Sequence, residues 1–190
     1  MSEQFQLSVT REEADYLKDL ARWSILQGLK RKALPQEREV DGPPPAGSVL
    51  REELGAFVTL KINDRLRGCI GRLVGSGPLY MTVVRMAQAA AFEDHRFPPL
   101  SLDELGRVDI EISVMGPITP CPDPEAIEIG RHGLIVSKHG RQGLLLPQVP
   151  VEWGWDRDTF LRQTCAKAGM EAGCWQDPAT DVYWFEAEVF

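Results

Sequence analysis

Along residues 108–114, apolar Val108, Ile110, Ile112 and Val114 alternate with Asp109, Glu111 and Ser113. Period two sends successive side chains to opposite faces, so this is the clearest half-buried strand in the chain. A different period governs the start. Leu17, Leu20, Ala21 and Ile25 recur at helical spacing behind Thr10-Arg11-Glu12-Glu13, a capping-box pattern, and predict a helix ending near Lys32. Pro78 suits a first helical position, and Leu79, Val83, Met86, Ala87 and Ala90 form the buried stripe of a second helix running to about Glu93. Its run of Ala89, Ala90 and Ala91 lets another element pack close. Ser101-Leu102-Asp103-Glu104 repeats the capping box before a short helix.

Phe57–Ile62 and Leu66–Ile70 predict a hairpin whose register can be argued. A two-residue turn at Asn63-Asp64 would set Val58, Leu60 and Ile62 opposite Cys69, Arg67 and Arg65, mixing apolar and charged side chains on one face. A three-residue loop over 63–65 instead pairs Ile62 with Leu66 and Val58 with Ile70. Lys61, Arg67, Thr59 and Cys69 then share the other face, and this odd-length turn is the expectation. Residues 134–136 and 144–146 predict a second hairpin, connected through His139-Gly140 and apolar enough for a central position. Pro147 ends it. Trp153 and Trp155 precede a helix begun at Asp156, with Phe160, Leu161, Cys165 and Ala168 inward and Gly169 at its end. A last strand, Tyr183–Val189, has Tyr183, Phe185, Ala187 and Val189 on one face.

Prolines mark the connections. Residues 35–47, with three consecutive prolines, are a stiff surface segment, and residues 117–124, with four, are a loop. Helices interspersed with tightly joined strands predict an α+β fold with a largely antiparallel sheet, because a doubly wound sheet needs regular βαβ alternation.

At 190 residues the chain is long enough to bury a core as one domain or a domain of two intertwined lobes, and 43% hydrophobic with 26% charged content is ordinary for a globular protein. A net charge of −7 without a basic run disfavours nucleic acid as a partner. Neither a leader-like start nor an apolar run of about 18 residues is found, which predicts a cytoplasmic protein with no membrane partner. Cys69, Cys121, Cys165 and Cys174 form no C-x-x-C pair, so free thiols are expected, with Cys165 in the core and Cys121 and Cys174 at the surface. No phosphate-loop or dinucleotide motif is present, and no cofactor or metal is read from the sequence. His132 and His139 are expected as solvent-exposed residues of a hairpin.

The candidate chemistry centres on Leu66-Arg67-Gly68-Cys69-Ile70-Gly71. Positions i and i+2 of a strand share a face, so Arg67 and Cys69 are expected side by side, with Leu66 and Ile70 turned to the core. A cation beside a thiol favours the thiolate, and the flanking Gly68 and Gly71 leave room for a ligand near the backbone. Cys69 is then a nucleophile or redox thiol, or else a small buried residue where strands approach. Arg67 either anchors an anion or pairs with Glu111 or Asp94. Glu111 or Asp94 carries protons, or Glu111 is merely solvated. Asp94 follows a helix C-terminus, where an anion needs a specific cation. Asp94 and Arg96 are candidate ligand-binding residues, Arg96 alternatively a strut between lobes, and Gln148 is a ligand contact or a loop hydrogen bond.

That hexapeptide, together with Asp94-His95-Arg96-Phe97-Pro98-Pro99-Leu100, Glu111-Ile112-Ser113-Val114, Leu146-Pro147-Gln148-Val149 and Lys167-Ala168-Gly169-Met170, resembles the AMMECR domain family, whose bacterial and archaeal members are called protein A of the AmmeMemoRadiSam system. The resemblance spans almost the whole chain in order. It implies an α+β fold of two lobes around a cleft where the motifs gather, and Memo-like and radical SAM proteins as partners. It implies no established reaction. Two functions follow as expectations: an enzyme or enzyme subunit acting on a small molecule in a cleft centred on Arg67 and Cys69, and a non-catalytic binding or adaptor module using the same cleft. The family commonly has Pro where this chain has His95, and Leu where it has Met170, so no role passes to His95 from the resemblance.

Overall fold

The computed structural model describes residues 8–31 and 33–190. The chain divides into two compact units: an N-terminal unit, reaching Met115 and including Glu188–Phe190, and a C-terminal unit, Gly116–Ala187. Each combines helices with antiparallel strands, the α+β class the patterning predicts.

In the N-terminal unit, α1 (Arg11–Arg31) begins at Thr10, whose hydroxyl accepts the Glu13 N–H while Glu13 Oε2 accepts the Thr10 N–H. That is the reciprocal capping box, and Lys32, near which the helix was expected to end, lies outside the described residues. Strands β1 (Ala56–Ile62), β2 (Arg65–Arg72) and β3 (Asp109–Met115) make a sheet in the order β2-β1-β3, leaving β2 at an edge. Helix α2 (Leu79–Phe92) packs on β1 and β2, and α1 packs on α2 and β3. Between helices and sheet lie Leu17, Ala21 and Ile25 from α1, Val83, Val84 and Ala87 from α2, Val58 and Leu60 from β1, and Ile112 and Val114 from β3, all fully buried. Sealing each of the valine, leucine and isoleucine side chains contributes about 1.5–3 kcal/mol. Two buried polar side chains bridge the helices: Ser24 Oγ donates to the Val84 carbonyl at 2.8 Å, and Gln88 Nε2 to the Ser24 carbonyl at 2.9 Å. The short α3 (Leu102–Leu105) carries its expected capping box at Ser101 and Glu104.

In the C-terminal unit, β5 (His132–Lys138) lies between β7 (Asp181–Val189) and β6 (Arg141–Leu145), the central position expected of it. A two-residue β4 (Thr119–Pro120) pairs with β7 inside the segment expected to be loop throughout. Helix α5 (Arg157–Lys167) covers β5 and β6, with Phe160, Leu161 and Cys165 fully buried and Asp156 accepting the Thr159 N–H at 2.8 Å.

Several expectations are corrected. The first hairpin closes through a two-residue turn, Asn63-Asp64, whose φ values of 50° and 60° are the left-handed pair that matches the twist of a hairpin. The register nevertheless passes through Val58 opposite Ile70 and Thr59 opposite Cys69, because it slips between Leu60, opposite Gly68, and Lys61, opposite Leu66. Arg67 is the extra residue of a β-bulge. The apolar register that argued for a longer loop is thus reached by a bulge, and Leu66, expected in the core, is 42% exposed. Cys165 and Cys174 are disulfide-bonded, and Cys174 is buried, so neither is the free thiol expected of it. His132 is not an exposed turn residue. It opens β5, stacks on Trp184 at 4.3 Å between ring centroids, and accepts the Glu128 N–H through Nδ1. A six-residue α4 (Gln148–Trp153) precedes α5. On β7, Val182 and Trp184 also pack toward Leu134 and Phe160, so apolar contact is not confined to the expected face.

Candidate functional site

The edge strand β2 exposes one row of backbone groups, and at Cys69 that row is occupied. Asp94, just past the end of α2, accepts the Cys69 N–H through Oδ2 at 2.8 Å, while Arg96 Nη2 lies 3.4 Å from the Cys69 carbonyl. The two side chains are themselves joined, Arg96 Nε to Asp94 Oδ1 at 2.9 Å and Nη2 to Oδ2 at 2.7 Å, and the Arg96 N–H also reaches Oδ1 at 3.2 Å. A carboxylate and a guanidinium therefore stand where a further strand would pair, and the Cys69 backbone is held on both sides.

The cation expected at Asp94 is Arg96. It lowers the Asp94 carboxyl far below the usual carboxylate range, helped by the Cys69 and Arg96 N–H groups against the opposing effect of burial. With both oxygens engaged, Asp94 stays ionised and does not carry protons. Arg96 is not a strut between lobes, since its partners are local. Its cation is favoured by the Asp94 hydrogen bond first, and more weakly by the Cys69 sulfur nearby. Half of its side chain remains exposed.

The Cys69 thiol is half-buried and accepts a hydrogen bond from Thr59 Oγ1 at 3.2 Å. Thr59 faces Cys69 on one side and Glu111 on the other, so Glu111, Thr59 and Cys69 form one row across three strands. Adjacent strands lie about 4.8 Å apart, which sets Glu111 two strands from the sulfur. Lys61 Nζ meets Glu111 Oε2 at 2.8 Å in the same region.

Arg67 is committed to Glu104. The bulge redirects its side chain, whose guanidinium makes a forked pair with Glu104, Nε to Oε1 at 2.8 Å and Nη2 to Oε2 at 3.0 Å, and lies 5.9 Å from the Phe97 ring centroid. Glu104 Oε2 also accepts the Ser101 N–H. Arg67 first, then that N–H, pull the Glu104 carboxyl down to about 2. Arg67 is thus paired with neither Glu111 nor Asp94, and its Nη1 is buried without a partner.

The two glycines make room for protein. A Cβ on Gly68 would sit 2.2 Å from the Ala90 carbonyl oxygen, so this position is where β2 approaches the alanine-rich end of α2. A Cβ on Gly71 would fall 2.1 Å from the Phe57 ring, its cross-strand neighbour. Gln148 belongs to the C-terminal unit, as the first residue of α4.

The structure thus brings Cys69, Asp94 and Arg96 into contact, places Glu111 in the same row, and pairs Arg67 with Glu104. Thr59, Lys61, Glu104 and Phe97 complete the arrangement. Thr59 and Lys61 were legible on the polar face of the hairpin. Glu104 was legible only as a helix cap, although a capping carboxylate keeps an oxygen free for a cation.

The AMMECR1 family profile matches residues 18–190. A protein of Thermococcus kodakarensis is 41% identical over 189 residues, covering 94% of this chain and 90% of the relative. One from Methanothermobacter thermautotrophicus is 40% identical over 191 residues, covering 96% and 95%. The crystal structure of an uncharacterized protein from Pyrococcus horikoshii superposes with a TM-score of 0.85 at 40% identity, covering 95% of this chain and 92% of that one.

Proposed function

We propose that this chain, which belongs to the AMMECR1 family, binds a small molecule on the face of β2 and performs thiol chemistry on it, as an enzyme or enzyme subunit. The observation that supports this is the grip on Cys69: its N–H is fixed by Asp94, its sulfur accepts from Thr59, and the half-exposed cation of Arg96 stands beside it. A held backbone orients a nucleophile, and an adjacent cation steadies developing negative sulfur. The Cys69 sulfur bonds to an electrophilic centre of the ligand as that centre's bond to its leaving group breaks, and the leaving group takes up the proton the thiol releases. Arg96, rather than Arg67, anchors an anionic group of the ligand, and Glu111, two strands from the sulfur, would exchange a proton with a ligand lying along the row rather than with the thiol itself. Arg67 holds β2 to Glu104.

The family resemblance supports Memo-like and radical SAM proteins as partners, and with them a cytoplasmic setting. No helix among the described residues is long and apolar enough to cross a membrane.

A second reading, a non-catalytic binding or adaptor module, is favoured by one observation: Asp94, Glu104 and Glu111 each already hold a cation. No uncommitted base stands over the thiol among them. The test is competitive alkylation of the full chain with iodoacetamide, read by peptide mapping. Cys69 is expected to react well before Cys121, whose thiol burial pushes up. A Cys69 no faster than Cys121 removes the enzyme reading and leaves the adaptor. Native mass spectrometry after incubation with metabolite extract then identifies the ligand class, and a covalent adduct on Cys69 that Cys69→Ser abolishes marks the enzyme reading.

A further inference from the structure

The C-terminal unit contains a hollow of about 450 Å³ that shares no residue with the Cys69 face. That is within the range of small-molecule sites, which run from about 300 to 1,000 Å³. One half of the Cys165–Cys174 bridge lines it: Cys174 is part of the wall, whereas Cys165 is fully buried against Val136 and Ala168. A molecule in the hollow therefore meets the cystine from the Cys174 side.

The charges around it are unequally committed. Lys138 pairs with Asp177. Arg141 donates to the Gly169 carbonyl at 3.1 Å, and neither it nor Glu171 is in an ion pair among the described residues. The hollow thus offers one uncompensated cation, one uncompensated anion and, in its wall, the Cys174 half of the disulfide.

We propose that this hollow is a thiol–disulfide exchange site for a zwitterionic low-molecular-weight thiol of the cysteine type, its carboxylate on Arg141, its ammonium on Glu171 and its sulfur at Cys174. The incoming thiolate bonds to Cys174 Sγ as the Cys165–Cys174 bond breaks. The electron pair passes to Cys165 Sγ, which takes up the proton the small thiol released, leaving a mixed disulfide and one free thiol. A second equivalent of the small thiol frees Cys174 and departs as the oxidised dimer, so two thiols are oxidised as one cystine is reduced. Exchange unties the turn at Cys174–Gln176 from the end of α5, where Gly169 has φ 67° and the Met170 N–H reaches the Cys165 carbonyl.

The experiment compares L-cysteine, N-acetylcysteine, which lacks the ammonium, cysteamine, which lacks the carboxylate, and 2-mercaptoethanol on the oxidised full chain, with rates corrected for thiolate fraction and adducts located by non-reducing peptide mapping. L-Cysteine is expected to react several-fold faster than 2-mercaptoethanol, with the adduct on Cys174. Arg141→Gln should remove the contribution of the carboxylate and Glu171→Gln that of the ammonium, each leaving the 2-mercaptoethanol rate unchanged. Equal corrected rates for the four thiols, an adduct on Cys165, or no Cys165–Cys174 peptide in the untreated chain would each overturn the proposal. The alkylation of Cys69 is read on a different peptide, so either proposal can fail alone.

Discussion

Asp94 accepts the backbone N–H of Cys69 at 2.8 Å with only 3% of its side chain exposed, so an element after α2 dictates where the edge strand runs. Removing its charge should be felt. Asp94→Asn turns one acceptor oxygen into a donor facing the donors of Arg96 and Cys69, and is expected to cost about 2–4 kcal/mol, since one partner of a buried pair is lost while the others stay. Arg96→Gln should cost less, about 1–2 kcal/mol, because that side chain is 48% exposed and Asp94 keeps its backbone donors. Urea midpoints of the two variants decide it, and a smaller loss for Asp94→Asn would refute this account.

Much of this clamp was legible in sequence, and the reasons for the failures are physical. The α2 helix and both capping boxes follow from periods and caps and formed as read, and β3 formed with Ile110, Ile112 and Val114 inward, although Ser113 of its polar face is buried as well. An anion just beyond a helix C-terminus demanded a cation, and Arg96 supplies it. The bulge at Arg67 was not legible, because alternation presumes an unbroken ladder and one extra residue redirects the side chains on its N-terminal side. Leu66 was misplaced for that reason, and the Glu104 partner of Arg67 was not foreseen. The Cys165–Cys174 bridge was missed because spacing alone does not tell a core thiol from half a cystine. Helix α4 was hidden by Pro150 and by a length of barely more than a turn.

Glu104 gives the fold an acid sensitivity whose sign can be worked out. Its folded value, about 2, lies below the ordinary 4.5, so the folded state favours the ionised form. The stability it contributes is fully present above the unfolded value and is lost as pH falls from about 4.5 toward 2. Asp94, also depressed, acts in the same direction at the acid end. Urea midpoints should fall through this window, with Glu104→Gln losing on the order of 2 kcal/mol at pH 7 and falling less steeply below pH 4.5. A variant as steep as the parent would show that the Arg67 pair is not the titrating contact.

The two arginines of the site should separate cleanly in a reactivity assay. Arg96 lies against the Cys69 carbonyl and interacts electrostatically with its sulfur, whereas the Arg67 guanidinium is spent on Glu104 and Phe97. Arg96→Gln is expected to slow alkylation of Cys69 several-fold at fixed pH, and raised salt should narrow the difference, because a half-exposed cation is screened. Arg67→Gln should lower thermal stability while leaving the alkylation rate of the folded protein nearly unchanged. Were Arg67→Gln to slow the thiol as much as Arg96→Gln, the guanidinium would have to act at the sulfur after all.

Gly68 tests the other support of the strand. A methyl group there would lie 2.2 Å from the Ala90 carbonyl oxygen, and because the obstacle is backbone, no smaller side chain on α2 can relieve it. Either β2 lifts away from the helix or the last turn of α2 yields. Each route loosens the packing of Leu60, which lies opposite Gly68 and is fully buried, so Gly68→Ala should cost about 3 kcal/mol and lower the melting temperature by several degrees. The helix ends at Phe92 and Asp94 follows two residues later, four after Ala90, so moving that end also shifts the carboxylate that holds the Cys69 N–H. Hydrogen exchange at the Cys69 amide should therefore accelerate in Gly68→Ala, and an exchange rate unchanged from the parent would mean that strand and helix are not coupled through this contact.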